Sequence, residues 1–350
     1  MHRLFFVLIS LITANSFAAE VSDLYQSHFP VASQDEQERR QVAPEVLRKV
    51  VLKVVGNRAA LDTVDLSPLL AKTEQLIQQY QYRRVNTISD DLTQPDKLEV
   101  LLKFNKDNLN RSLANLGLPI WSSSRPEVLL WLAVDDGKNR RIIGSDGIAD
   151  VIPATIIQAT DRRGLSMLMP LMDLQDQNQV QFADLWAGFP ETVLQASQRY
   201  AAQVILMARV TVSDNGAVQI RWQSLVNGES DQWQSRGDMH RALNTGIDEL
   251  TDRLARRFTQ VVTSQYDHEY SLEISNVTDY ADYSKVVNYL ENLQYISEVK
   301  LSSLDTDMLE LTIALKGDIA VFNRTLAVDR VLIEDSSYNA TNRIRYRLSP

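Results

Sequence analysis

Three small domains of mixed α/β and α+β class are what this sequence predicts, and three observations predict them. Val128–Val134 and Val204–Val212 are almost continuously apolar, as strands buried on both faces read. Helical stripes of apolar residues alternate with these runs. Two turn signals, Asp214-Asn215-Gly216 and Asn227-Gly228, each separate alternating strands. At about 100–150 residues per domain, 350 residues leave room for two or three separate cores.

The first domain is expected over 20–118. Phe29-Pro30-Val31 reads as a short strand, and Ser33-Gln34-Asp35-Glu36 as a capping box. A helix follows with Val42, Val46, Val50 and Val54 on one face, ended by Gly56-Asn57. Pro44 inside that pattern predicts a kink or restart. Ser67-Pro68 opens a second helix as N-cap and N1, running to Tyr80. Strands over Gln81–Ile88 and Lys97–Phe104 and a helix carrying Leu109, Leu113 and Leu116 complete the domain.

Residues 119–126, with Gly117-Leu118-Pro119 before them and a serine run ending in Arg125-Pro126, read as a linker. The central domain, 127–264, is expected as a β-α-β-α-β-β-β-α sandwich of mixed sheet and helices. Its strands include 127–135, Leu165–Met172 and Val204–Val212. Its first long helix is capped by Ser145, and a second starts at Pro190. A last helix carries Leu243, Ile247, Leu250, Leu254, Phe258 and Val261 in one stripe. Right-handed crossovers make the first strands parallel. Trp222 shares parity with Ile220 and is expected under that helix. Residues 265–350 follow the order β-α-β-β-α-β, that of a ferredoxin-like layer.

The chain opens with Met1-His2-Arg3, an apolar run from Leu4 to Ile12, and Ser16-Phe17-Ala18-Ala19. A basic start, a short apolar core and a small-x-small site are the order of a secretory signal, expected over 1–19 with cleavage near Ala18/Ala19. The run falls short of the about 20 apolar residues that a span needs. The mature protein is thus expected in the bacterial periplasm, with no integral membrane span. The sequence has no cysteine, which excludes a disulfide scaffold, thiol chemistry and a lipid on an amino-terminal cysteine. Net charge is −9, against a nucleic-acid partner, which needs a basic face. The paired arginines, Arg39-Arg40, Arg83-Arg84, Arg140-Arg141, Arg162-Arg163 and Arg256-Arg257, read as solvated surface charge.

No catalytic constellation stands out. The mature chain has three isolated histidines, His28, His240 and His268, without the local pairing of a zinc site. Phosphate-loop, dinucleotide and nucleophile-elbow patterns are missing from the sequence. Ile143-Gly144-Ser145-Asp146-Gly147 reads as a turn plus N-cap. No enzyme, cofactor or resident metal is expected. The candidate surface is a crevice at strand ends, where open α/β sheets receive partners. It comprises Asp135 and Asp136 after the first central strand, Asp173 after the second, Asp184 in the next connection, and Trp186 and Phe189 beside it. The carboxylates could meet a cation or a basic partner; turn chemistry alone also explains each of them. The aromatics, read as lying in a connection, could anchor an interface or cover the core.

Asp161-Arg162-Arg163-Gly164-Leu165, Pro170-Leu171-Met172-Asp173-Leu174, Asp184-Leu185-Trp186-Ala187-Gly188-Phe189 and Ala196-Ser197-Gln198-Arg199-Tyr200 resemble the DUF2066-type family of exported proteobacterial proteins of unassigned function, and the resemblance extends over most of the mature chain, including Pro30-Val31 and the helix ended by Gly56-Asn57. That family lends no catalytic residues. In element order the central domain is similar to the amino-terminal domain of the Tol translocation protein and to the curli secretion-channel subunit. It is also similar to the lipoprotein activators of penicillin-binding proteins. The first domain is similar in order to polypeptide-transport-associated modules. The expectation is a non-enzymatic periplasmic scaffold or adaptor working through contacts with envelope proteins. A ligand- or cation-binding module using the same crevice is the alternative.

Overall fold

The computed structural model describes residues 24–85, 97–121, 123, 125–145, 151–259, 268–291, 293, 296–315, 319–329, 331–340 and 343–349. The expected signal segment lies outside them. The described residues are mixed helix and strand, built on three sheets. None of their helices is long and apolar enough to cross a membrane.

The N-terminal elements are β1 (Gln26–Pro30), α1 (Glu36–Val55), α2 (Arg58–Leu61), α3 (Ser67–Leu70), α4 (Thr73–Leu76), β2 (Ile77–Val85), β3 (Lys97–Phe104) and α5 (Lys106–Asn115). The sheet order is β1-β3-β2, antiparallel throughout. Val46, Val50 and Val54 of α1 lie fully buried against it, with Leu47 and Val51. Three local expectations shift. Asp35, not Ser33, caps α1, because Glu38 holds the Ala32 and Ser33 amides and delays helix entry. Helix α1 runs on through Pro44, its turns held together by buried Ala43, Val46 and Leu47. The second helix is split into α3 and α4 and ends at Leu76 rather than Tyr80, since pairing with β3 draws residues from Ile77 onward into β2.

The central elements are β4 (Val128–Asp135), β5 (Arg140–Ile143), α6 (Val151–Arg163), β6 (Met167–Leu168), α7 (Leu174–Gln179), α8 (Phe182–Ala187), α9 (Pro190–Ser197), β7 (Val204–Val212), β8 (Val218–Val226), β9 (Glu229–Gly237) and α10 (Met239–Phe258). The order is β5-β4-β7-β8-β9, with β6 and β7 parallel to β4. Helices α6 and α10 cover one face and α7–α9 part of the other. Trp222 lies under α10 and stacks on Trp233, so close to Gly246 that a Cβ there would sit 2.2 Å from the indole. The expected strand Leu165–Met172 contracts to two residues. β5 occupies the upper half of that edge of β4, pairing with Leu132–Asp135, and confines β6 to the lower half, where it pairs with Val128 and Leu129. The expected cap at Ser145 adjoins residues 146–150, which lie outside the described ones.

The last elements are β10 (His268–Ser275), α11 (Tyr280–Glu291), β11 (Ile296–Asp305), β12 (Met308–Leu315), α12 (Ile319–Asp329), β13 (Leu332–Ala340) and β14 (Arg343–Leu348). The strand order is β11-β12-β10-β14-β13. The expected β-α-β-β-α-β arrangement gains a closing hairpin: β14 runs parallel to β10 and displaces β13 to the edge.

The first two cores meet at a buried cationic joint. The last turn of a helix leaves its carbonyls without intrahelical partners and carries negative dipole charge. At the end of α1 those carbonyls are met from outside: Arg125 Nη2 donates to Lys53 O (2.7 Å), Trp121 N to Val54 O (2.9 Å) and Arg163 Nη2 to Gly56 O (2.6 Å). Arg125 also donates to Arg163 O and Gly164 O at the end of α6, so two helix ends converge on one guanidinium. It stacks on Trp121 at 4.2 Å. Burial pushes Arg125 down to about 9, which leaves it charged at neutral pH. Arg163 bonds Asp252 (2.7 Å) and Asp248 (3.3 Å), and Arg58 bonds the same two carboxylates. Burial alone would raise the Asp252 carboxyl, but the bonds from Arg58 and Arg163 outweigh it and hold it low. Two expectations are therefore corrected. Arg163 and Arg39 are buried rather than solvated, and the linker is packed: Trp121 and Arg125 are both buried. Gly56 sits at φ 73° with its Cβ position 2.5 Å from the Trp121 ring, so no larger residue fits.

Truncating Asp252 leaves two cations without their main counter-charge. Asp252→Ala is expected to destabilise the chain by roughly 3–5 kcal/mol, read from denaturant unfolding. A loss below about 1 kcal/mol would mean that the joint contributes no more than an exposed ion pair.

Candidate functional site

The site lies on the α7–α9 side of the central sheet. Along β4, Leu129, Trp131 and Ala133 face this side; along β7, Ile205 and Met207 do. Val180, Leu185, Val193 and Ala196 close over them. Trp131 Nε1 donates to Ser197 Oγ at 3.0 Å, which ties the end of α9 to the sheet.

A polar network pins the entry to this layer. Asp173 caps α7 by accepting from Asp176 N, and its two oxygens take both Arg199 Nη atoms at 2.8–2.9 Å. Asp176 is fully buried and accepts from Met172 N, Arg199 Nη1 and Tyr200 Oη. Hydrogen bonding to Arg199, then to the Asp176 amide, lowers the Asp173 carboxyl to about 2. Burial first, then the bond to Asp176, raises the Tyr200 phenol to about 12. Met172, between Leu171 and Asp173, holds φ 53°, a strained value for its type. The network fixes a chain path that leaves Leu171 and Leu174 facing outward, 55% and 78% exposed.

The six residues expected at the strand-end crevice take separate places. Asp135 accepts from Gly137 N and Arg140 Nε, both at 2.9 Å, in the β4–β5 turn. Asp136 accepts from Lys138 N and Asn139 N in the same turn. Asp184 accepts from Gln181 N at 2.8 Å in the capping box of α8. Each carboxylate, Asp173 included, serves a turn, a helix cap or a local ion pair. Among the described residues, no group of three or more His, Asp or Glu side chains is placed to hold a metal ion. His28, His240 and His268 lie on β1, α10 and β10.

The aromatics do share one layer. Trp186 lies in α8, not in a connection, and stacks on Phe182 with centroids 5.1 Å apart. Phe189 precedes α9 and is 65% exposed. Arg140 lies over Phe182 and Arg221 over Trp186, at 5.9 and 5.8 Å. Sequence reasoning missed Arg209 and Arg221. The available signal was a charged residue set into each of two mainly apolar strands, Met207-Ala208-Arg209-Val210 and Ile220-Arg221-Trp222.

Residues 18–122 match the model of a domain of unknown function, DUF8605. The DUF2066-type family expected over most of the mature chain is not the one matched there, although both are families without assigned function. No curated protein matches the chain. Among solved structures, the chain is similar to the C-terminal domain of LpoB from Salmonella enterica, with 10% identity, TM-score 0.23, and 32% of this chain and 82% of that one covered. It is also similar to a competence-damaged protein (CinA) superfamily protein from Klebsiella pneumoniae, at 13% identity and TM-score 0.21 over 43% and 92% of the two chains. A third likeness, to an uncharacterized protein, has 14% identity and TM-score 0.17 over 38% and 90%. At these TM-scores none of the three supports an argument about fold or function.

The Asp173–Arg199 pair sets a pH dependence. A carboxyl lowered by folding stabilises the protein above its unfolded pKa, about 3.9, and that stabilisation fades as pH falls through the folded value. Asp173→Asn keeps the cap and removes the charge. Its Tm is expected to lie below wild type at pH 5–7, with the gap closing as pH falls from about 4 toward 2. A gap that is constant with pH would show that the ion pair is not its source.

Proposed function

We propose that this protein is a non-enzymatic scaffold or adaptor of the bacterial cell envelope. On this reading it is exported to the periplasm after loss of residues 1–19 and acts through protein–protein contacts. The observation that carries it is the apolar outer surface of the α7–α9 layer. Leu171, Leu174, Phe189 and Leu194 are exposed there, on α7, α9 and the residues leading into them, in a layer whose short helices pack against one another. Single exposed apolar residues are ordinary, but several on one layer mark interaction sites. The strained Met172 and the buried Asp176–Tyr200 bond hold Leu171 and Leu174 outward, where their burial by a partner would be favourable. The carboxylates of the expected crevice are engaged locally, so the partner contact proposed here centres on the apolar and aromatic residues.

The test is in-cell crosslinking of a tagged full-length chain, followed by envelope fractionation. A single defined complex is expected for wild type. Leu174→Asp combined with Phe189→Asp should lower its recovery at least about tenfold, equivalent to about 1.4 kcal/mol, with the variant's circular dichroism unchanged. A clean wild-type monomer, or an undiminished complex in the folded variant, would overturn the proposal.

A further inference from the structure

The α7–α9 layer leaves the β9 side of the sheet face open, and at its rim lies a half-buried arginine pair without counter-charge among the described residues. Arg209 of β7 and Arg221 of β8 are directly opposite in register. Alternation along β7 puts Arg209 on the same face as Ile205 and Met207. The other arginines of this domain whose side chains are buried or half-buried have carboxylate partners: Arg162 pairs with Asp248, Arg163 with Asp252, Arg199 with Asp173, Arg253 with Glu249 and Arg257 with Glu229, whereas Arg236, Arg241 and Arg256 are exposed. Among the described residues, neither Arg209 nor Arg221 makes an ion pair or a side-chain hydrogen bond. Arg209 Nε is buried without a partner, as are Arg163 Nε and Arg257 Nε, but those two guanidiniums have carboxylates and that of Arg209 has none among the described residues.

Their surroundings are aromatic and close-fitting. The Arg209 guanidinium lies flush against Gly188, where a Cβ would come within 2.4 Å of Nη1. Arg221 lies over the Trp186 ring, and Phe189, next after Gly188, is exposed. Like charges directly opposite in a sheet are destabilising, and a half-buried cation without a partner costs more. A chain of net charge −9 has carboxylates in excess, yet none meets this pair. Stability forgone at one place, where the domain's other arginines withdrawn from solvent are paired, is characteristic of binding sites.

We infer that Arg209, Arg221, Trp186 and Phe189 form a docking notch for an acidic segment of a partner polypeptide. An Asp or Glu carboxylate of the partner bridges the two guanidiniums, and a neighbouring apolar side chain lies on the aromatics. The inference rests on the adaptor reading and deepens it. Charge complementarity selects the occupant: two unneutralised cations require an anion. Phe189, exposed beside the half-buried Trp186, favours apolar surface next to it, which a free inorganic anion does not offer. Arginine and tryptophan are also the residue types enriched where binding energy concentrates.

The test follows the Trp186 indole N–H of the full chain by NMR, assigned through Trp186→Phe. Three probes are titrated: a blocked peptide with two adjacent glutamates between phenylalanines, the same peptide with glutamines, and inorganic phosphate. The glutamate peptide is expected to shift the signal saturably. Its affinity should fall at least about tenfold in Arg209→Gln and Arg221→Gln, and the other two probes should leave the signal unmoved at equal concentration. Arg221→Gln alone should raise Tm by relieving the repulsion, which also shows that the variant folds. Equal binding to the folded variants, no binding to wild type, or an equal response to phosphate would overturn the inference. In the crosslinking assay, a complex that survives Arg209→Gln with Arg221→Gln refutes the notch and spares the adaptor reading. Peptide binding without any wild-type complex in cells refutes the adaptor reading and spares the notch.

Discussion

Arg163 and Arg125 set the relation between the first two cores, and much of the structure follows from how their charge is satisfied. A buried guanidinium is tolerable only when most of its donors are met. Here the Nη groups are met by carbonyls at the ends of α1 and α6 and, for Arg163, by Asp248 and Asp252 of α10, while Arg163 Nε is buried without a partner. Those carbonyls need donors for the same reason that the arginines need acceptors. The arrangement is therefore directional: the N-terminal core seats in one orientation, with the Trp121 ring filling the space that Gly56 leaves open. Replacing such a joint by apolar packing could be no less stable, but it would specify the seat less sharply.

The same principle separates two kinds of polar group in the central domain. Around Asp173, Asp176, Arg199 and Tyr200 every charge has its counterpart, and the network's product is a fixed chain path. At Arg209 and Arg221 the counterpart is missing among the described residues. The first set explains why the outer leucines are held in place. The second marks where the surface is incomplete without another molecule. Both lie on the side of the sheet that α7–α9 leave partly open, whereas α6 and α10 close the opposite face with an uninterrupted apolar core.

Where periodicity alone decides, the sequence could be read closely. β3 and β7 were legible to the residue, because continuous or alternating apolar runs end abruptly at polar turns. The two glycine turns and the α10 stripe from Leu243 to Phe258 were equally plain, while Val261, expected in the same stripe, lies outside the described residues. β6 was not, since its length depends on how much of the β4 edge β5 has taken. The end of α4 was not, since β3 competes for Ile77. Of the site, Trp186 and Phe189 were found as large apolar residues in an unlikely place. The acidic residues were recognisable as turn and cap formers, and in that role they occur.

The sequence by itself determined the mixed helix-and-strand class, the runs that become strands and helices, and the glycine and aspartate positions that turn the chain. These are local matters, settled by side-chain periodicity and backbone preference within a few residues. Tertiary structure alone decided that Arg163 is buried and Arg162 is not, that the apparent linker packs into a joint, and that Arg209 meets Arg221 without a carboxylate. Burial and charge pairing are properties of neighbours distant in the chain. Asp252 lies 89 positions from Arg163, and no spacing rule reaches that far.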